Sequence, residues 1–225
     1  MNEQHADLVA TARKAGVWYL ALAVSGVLGF LLLHAQIYVS DDLPKTLLNL
    51  KEQESLARMR LLAEFAIIVS QALAAVYFFK LFKDINHFAA WALAAWGMMN
   101  AGIIMISAIA MGGSINVASL SLPDNEKLIM LQVFMLLIKG SWAIGSLFFG
   151  LWLIPMGYAV VSSKRMPIGL GRVLQIGGVG YIASAFLVYG GLSGSWIDML
   201  TIPATVGEFW MIGYLLIFGI RPQSN

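Results

Sequence analysis

The chain has 225 residues, of which 60% are hydrophobic and only 12% charged, with a formal net charge of +2 and no cysteine. Soluble domains carry about 25% charged residues, so this composition excludes an ordinary soluble globule and reads as a polytopic membrane protein. The small net charge and the lack of a basic run exclude nucleic acid as a partner, and the absence of thiols excludes disulfides, thiolate nucleophiles, iron–sulfur clusters and cysteine-bound zinc.

Arg13 and Lys14 precede an apolar run from Ala15 to Val39. Its length, and the lack of a small-x-small cleavage pattern at its end, predict a retained spanning helix over about 15–39. Trp18 and Tyr19 at one end suit an aromatic belt. Ser25 and Gly29 form a small-xxx-small pair that lets another helix approach. In the segment 40–59, Asp41 or Asp42 can cap a short helix starting near Pro44; Leu47, Leu48, Leu50 and Leu56 give this piece an amphipathic, interfacial character. A second span is predicted over about 60–81, containing Glu64 and Gln71. A third covers about 87–111, with Asn100 and Ser107 one heptad apart. A polar loop with a turn signal at Pro123–Asn125 follows.

The stretch 128–161 carries one charge, Lys139, inside its apolar run. At ~1.5 Å per residue it would reach ~50 Å as a helix, beyond a ~30 Å hydrocarbon core. This predicts a span over about 138–161 with a further turn or two ahead of it. Ser146, Gly150 and Gly157 line one face for close packing, and Pro155 can bend the helix. The fifth span, about 167–190, carries Gly169, Gly171, Gly177, Gly178 and Gly180, read as packing glycines because no strand precedes them as a nucleotide-binding loop would require. The sixth, about 201–220, opens with TIPATVGEFW. The expected fold is thus all-α: one integral-membrane domain over 1–225, with six transmembrane helices and a short interfacial helix in the first outer loop.

Six spans place both termini on one side, and the basic residues decide which. With the N-terminus inside, the inner side holds Arg13, Lys14, Lys80, Lys83, Lys164, Arg165, Arg172 and Arg221, against Lys45, Lys51, Arg58, Arg60 and Lys127 outside. The excess predicts cytoplasmic termini. No internal repeat supports an inverted-repeat transporter.

Glu64, Lys139 and Glu208 lie within predicted spans, where each charge costs ~2.5–3.5 kcal/mol at a helix centre. On the predicted topology these three and His34 fall in the outer half of the bilayer, within ~10 Å of depth of one another. Arg60 and Glu64 are spaced i,i+4. Gln71 follows Glu64 by seven, Gln132 precedes Lys139 by seven, and Thr201, Thr205 and Glu208 share one stripe. Apart from snorkelling of these side chains to the interface with no partner at all, two outcomes are open. In one, Lys139 pairs with Glu64 or Glu208, and Arg60 with the other, simply to hold the bundle. In the other, Glu64, Lys139, Glu208, His34 and Arg60 line an outward-facing polar pocket that binds or transports a small amphiphile or a proton. The alternatives are a membrane-embedded lipid- or isoprenoid-modifying enzyme using paired carboxylates as acid and base, and a non-catalytic accessory or scaffold subunit, motivated by the small-residue faces. Beyond lipid and such a ligand, a homo-oligomer or partner subunit is the other expected partner. No catalytic residue, cofactor or metal is assigned: His34 and His87 are predicted at opposite ends of their spans, and three scattered histidines do not make a histidine-box metal site.

The segments KAGVWYL, VSDDLPKTLLN, GSLFFGLWLIPMGY and IPATVGEFW, together with the Pro167–Gly171 segment and Gly180–Tyr181, carry a likeness across nearly the whole chain. The chain resembles the bacterial membrane family catalogued as domain of unknown function 4386. The residues concerned include Ser40, Asp41, Thr46, Asn49, Gly145, Phe148, Phe149, Gly150, Gly157, Tyr158, Pro203 and Glu208. Trp152 and Lys139 stand where histidine is common in that family. The resemblance implies a multi-spanning protein and a role for Glu208, and it implies no particular activity.

Overall fold

The computed structural model describes residues 3–222, which form helices and turns with no strand among them. We number seven helices: α1 (Glu3–Ile37), α2 (Leu43–Glu52), α3 (Glu54–Phe82), α4 (His87–Ala118), α5 (Asp124–Ser163), α6 (Ile168–Tyr189) and α7 (Ser195–Ile217). All but α2 are long and apolar enough to cross a membrane. The protein is therefore a multi-pass membrane protein, with the predicted six spans and the predicted short helix after the first.

Several helices outrun their predicted spans, because hydropathy marks what oil requires and not where a helix stops. α1 begins at Glu3 rather than near residue 15. Thr11, Ala12, Ala15 and Tyr19 are buried at helical spacing, so its polar first turns have a packed face. α5 starts at Asp124, well ahead of residue 138, with Asp124 and Glu126 in its first turn, where carboxylates favour the positive end of the helix dipole. α4 runs on to Ala118 through Gly112 and Gly113, residues predicted to open a loop. There Gly113 lies beneath the Phe134 ring, so its missing side chain serves packing rather than a turn. α7 gains a first turn, Ser195–Met199, ahead of Pro203, and ends at Ile217. α5 continues through Pro155 as helix.

The chain divides into two compact units. The first comprises Met1–Leu20, Ser70–Asn100 and Ile144–Asn225. Here α5 and α6 meet through glycines: a Cβ on Gly150 would lie 2.6 Å from the Gly178 carbonyl oxygen, and one on Gly157 would collide with the Gly171 carbonyl. α6 meets α7 in the same way, with Gly177 against the Ala204 backbone and Gly207 against Leu174. Lipid offers little hydrophobic drive for helix association, so close backbone approach and dispersion must supply it.

The second unit comprises Ala21–Val69 and Ala101–Ala143. Ile37, Tyr38, Leu47, Leu50, Met111, Ile115, Leu131 and Ile138 form its buried apolar core. α2 is capped by Asp42, whose carboxylate accepts from the Lys45 amide at 2.9 Å, with a proline in the first turn. Its buried face, Thr46, Leu47, Asn49 and Leu50, fastens it to the end of α1. Asn49 Nδ2 donates to the Gln36 and Ile37 carbonyls at 3.0 and 3.2 Å, and the Thr46 hydroxyl accepts from the Val39 amide at 2.9 Å. Helix ends leave such groups unpaired; α2 supplies their partners. From the other end of α2, Lys51 pairs with Asp124 at the start of α5 at 2.7 Å, and nearby Lys127 Nζ donates to the Ala118 carbonyl at 3.1 Å.

The glycine contacts predict an ordered mutational response. Gly157→Ala or Gly178→Ala forces a methyl into backbone and costs ~1–3 kcal/mol. Gly213→Ala, where nothing lies within 4 Å of the added methyl, gains up to ~1 kcal/mol from helix propensity. Unfolding in mixed micelles checks both signs.

Candidate functional site

The second unit holds a fully buried ion pair. Arg60 and Glu64, one turn apart on α3 and both 0% exposed, meet at 2.8 Å between Nη1 and Oε2. A lone ion in a low-dielectric interior costs several kcal/mol, and a partner with further hydrogen bonds offsets it. Those bonds are present for Glu64: its Oε1 accepts from the Trp142 indole at 3.0 Å, and the same N–H lies 3.2 Å from the Ser107 hydroxyl. Arg60 is less well served. Its Nε and Nη2 find no hydrogen-bond partner among the described residues. Its guanidinium instead lies over the Phe30 ring, 4.7 Å from the centroid, a cation–π contact that compensates a desolvated cation in part.

Gly29 makes room for this arrangement, since a Cβ there would lie 3.1 Å from Arg60 Nη1 and 3.5 Å from the Ala63 methyl. The small-xxx-small pair of the first span thus admits α3, and the group seated over its glycine is a guanidinium. Gly29 and Phe30 belong to a stretch of α1, Leu28–His34, wound as a π-helix. Single π-turns inside α-helices occur disproportionately at functional sites.

The π-turn carries one wall of a cleft of about 670 Å³. Phe30, His34 and Tyr38 line it from the α1 side, and Met135, Leu136, Ile138, Lys139 and Trp142 from α5, with Gln132, Ser40 and Asp41 also on its boundary. Phe30 meets Trp142 edge-on at 4.1 Å, and His34 stacks on Tyr38 at 4.9 Å. His34 Nδ1 is buried with no partner among the described residues. The Tyr38 side chain is buried as well. Lys139 is exposed and forms no ion pair among the described residues. One cleft therefore combines an aromatic and aliphatic wall, a lysine with no ion pair among the described residues, and an imidazole nitrogen.

Of the residues read from sequence, Arg60, Glu64, His34 and Lys139 belong to this unit: the first two form the buried pair, the last two line the cleft. Glu208 belongs to the first unit, where its Oε1 accepts a 2.7 Å hydrogen bond from the Tyr19 hydroxyl. Tyr19 is itself held edge-on by Phe78 and Trp152, at 5.6 and 5.1 Å. Glu64 has a guanidinium and an indole for partners and Glu208 a phenol; neither bonds to a second carboxylate. No group of three ligating His, Cys, Asp or Glu side chains gathers among the described residues.

Sequence reasoning did not single out Phe30, Tyr38 or Trp142, nor Tyr19 as the partner of Glu208. The one available signal was helical spacing: Trp142 lies three residues beyond Lys139, on the same side of α5. It also left unrecognised a polar contact in the first unit, where Asn100 Nδ2 approaches Gln71 Oε1 at 3.5 Å beside the fully buried Trp152.

Glu64→Ala leaves Arg60 buried and unpaired, with an expected loss of ~3–5 kcal/mol. Arg60→Met strands Glu64 to the same extent. Arg60→Met with Glu64→Leu, which removes both charges, costs well below the sum of the two single changes, and a double-mutant cycle of unfolding in micelles measures the coupling.

No curated protein and no solved structure matches this chain. A family model does match, over residues 14–219, and so takes in every span together with the buried pair, the cleft and the Tyr19–Glu208 bond. The chain belongs to the family described as domain of unknown function (DUF4386).

Proposed function

We propose that the protein binds a small anionic amphiphile in the cleft between the π-turn of α1 and the first half of α5. The supporting observation is the cleft's division of labour. Phe30, Met135, Leu136 and Trp142 offer an apolar wall for a chain, while Lys139 and His34 Nδ1 offer unengaged polar groups for a head. Its volume, about 670 Å³, falls in the range of small-molecule sites, ~300–1,000 Å³. The buried Arg60–Glu64 pair fixes the wall from behind, through Phe30 on one side and Trp142 on the other. On this reading Glu64 and Arg60 are positioning residues. Lys139 meets the ligand's charge, and Glu208 takes no part in this cleft.

The protein is further proposed to sit in a bacterial inner membrane with both termini in the cytoplasm and the cleft opening toward the outer leaflet. The bias of basic residues among the loops supports this orientation, on which Asp41 and Leu43, at the cleft's rim, belong to the outer loop.

Brominated lauric acid provides a direct test, because a bromine seated beside Trp142 quenches its fluorescence. Wild-type protein is expected to show saturable quenching that is largely lost in Trp142→Phe. Lys139→Gln should weaken binding about tenfold or more, the worth of one charge-assisted hydrogen bond. Saturable quenching that is unchanged in both variants would place the ligand elsewhere and overturn the reading. Orientation is checked separately. The native chain has no cysteine, so single cysteines at Ser40 and Ser163 report sidedness without background: a membrane-impermeant maleimide added to intact cells should label the first and not the second.

A further inference from the structure

The first unit has a second polar cavity, unrelated to the cleft above. It has a volume of about 520 Å³ and lies where the first turns of α1, the end of α3 with its turn into α4, and the end of α5 come together. Lys80, Lys83 and Arg165 line it, with Asp7 and Asp84 as the opposing charges. Three cations against two carboxylates leave an excess of one, and the arrangement makes the excess available. Asp7 meets Lys80 only at 3.7 Å, the loose limit of an ion pair, with both side chains more than half exposed. Lys83 and Arg165 form no ion pair among the described residues. Arg165 is nonetheless fixed in direction: its Nε donates to the Arg221 carbonyl and its Nη2 lies 3.0 Å from His5 Nδ1, which anchors one edge of the guanidinium. Leu8, Leu81 and Ile85 add apolar surface to a lining that the neutral polar side chains of Gln4, Thr11, Ser162 and Ser163 complete.

A directed guanidinium and an unpaired ammonium are the groups that recognise phosphate, the first through planar paired donors and the second as a point charge. Basic pockets between helices at a membrane surface are suited to anionic phospholipid headgroups. We propose that this cavity binds a phosphate anion carried by a lipid headgroup or free in solution, with Lys83 and Arg165 as its main contacts. The proposal does not rest on the amphiphile cleft, which shares none of these residues.

The test uses the full chain in nanodiscs of phosphatidylcholine with a minor fraction of phosphatidylglycerol. Co-purified lipid is counted by native mass spectrometry after transfer to a non-ionic detergent. Wild-type protein should retain phosphatidylglycerol preferentially. Lys83 is exposed and forms no ion pair among the described residues, so its replacement leaves the fold intact. K83Q should lower retention about fivefold and K83E about thirtyfold, from the loss or reversal of one basic charge near a phosphate. K164E makes the same change in net charge at an exposed residue outside the cavity and should leave retention within about twofold. Millimolar inorganic phosphate separates the sources: retention that survives it assigns the headgroup, while displacement of lipid, or phosphate binding that K83E abolishes without any lipid preference, assigns the free anion. Equal effects of K83E and K164E, or retention indifferent to K83E, would reduce the cavity to general surface electrostatics and overturn the proposal.

Discussion

A guanidinium and a carboxylate, one helical turn apart and both wholly out of reach of solvent, set the terms for everything around them in the second unit. Neither charge could be buried alone. Their mutual attraction is only part of what holds them, because each also needs somewhere to direct its remaining polar atoms. Glu64 recruits Trp142 from α5 and Arg60 lies on Phe30 of α1, so three helices are fixed in azimuth by one pair. The glycine at 29, the π-turn and the edge-on contact of Phe30 with Trp142 all accommodate that demand. A leucine–leucine contact at the same place would be compatible with many rotations of each helix. The ion pair is compatible with few, and it leaves an aromatic wall standing beside an open cleft.

The first unit solves its packing by another route. α5, α6 and α7 meet backbone to backbone through Gly150, Gly157, Gly171, Gly177 and Gly178, and the polar side chains buried in this unit, Thr11, Ser70, Gln71, Asn100 and Ser184, are neutral. The Tyr19–Glu208 hydrogen bond is the exception, tying α1 to α7 across 189 positions of sequence. The two units therefore illustrate the two means of specifying helix contacts in oil, close approach of small residues and polar groups that must find partners.

How much of this the sequence revealed follows from the range of each interaction. Apolar runs announce six spans, because a bilayer imposes a length. The Asp42 cap, the i,i+4 relation of Arg60 with Glu64 and the glycine faces of α5 and α6 are local patterns, and they can be read without a fold. The extensions of α1 and α4, and the polar first turn of α5, were invisible to hydropathy: residues such as Thr11 or Ser114 are held by tertiary packing and not by lipid. Pairs such as Trp142 with Glu64 or Tyr19 with Glu208 have no spacing to betray them, since any phenol or indole on any span could have served. A common depth in the bilayer was enough to nominate Glu208 beside Glu64 and Lys139. Depth alone leaves the rotation of each helix undetermined, and rotation decides which groups meet.

The π-turn has a consequence for the cleft's geometry. Winding Leu28–His34 with i→i+5 bonds takes up one residue more than an α-helix would use over the same rise. A chain one residue shorter in this stretch would revert to α-helix and carry His34 and Tyr38 around the axis by about 100°. It would break their alignment with Lys139 while leaving the hydrophobic length of the span nearly unchanged. A single surplus amino acid thus aims one rim of the cavity, and a hydropathy profile would register neither its presence nor its loss.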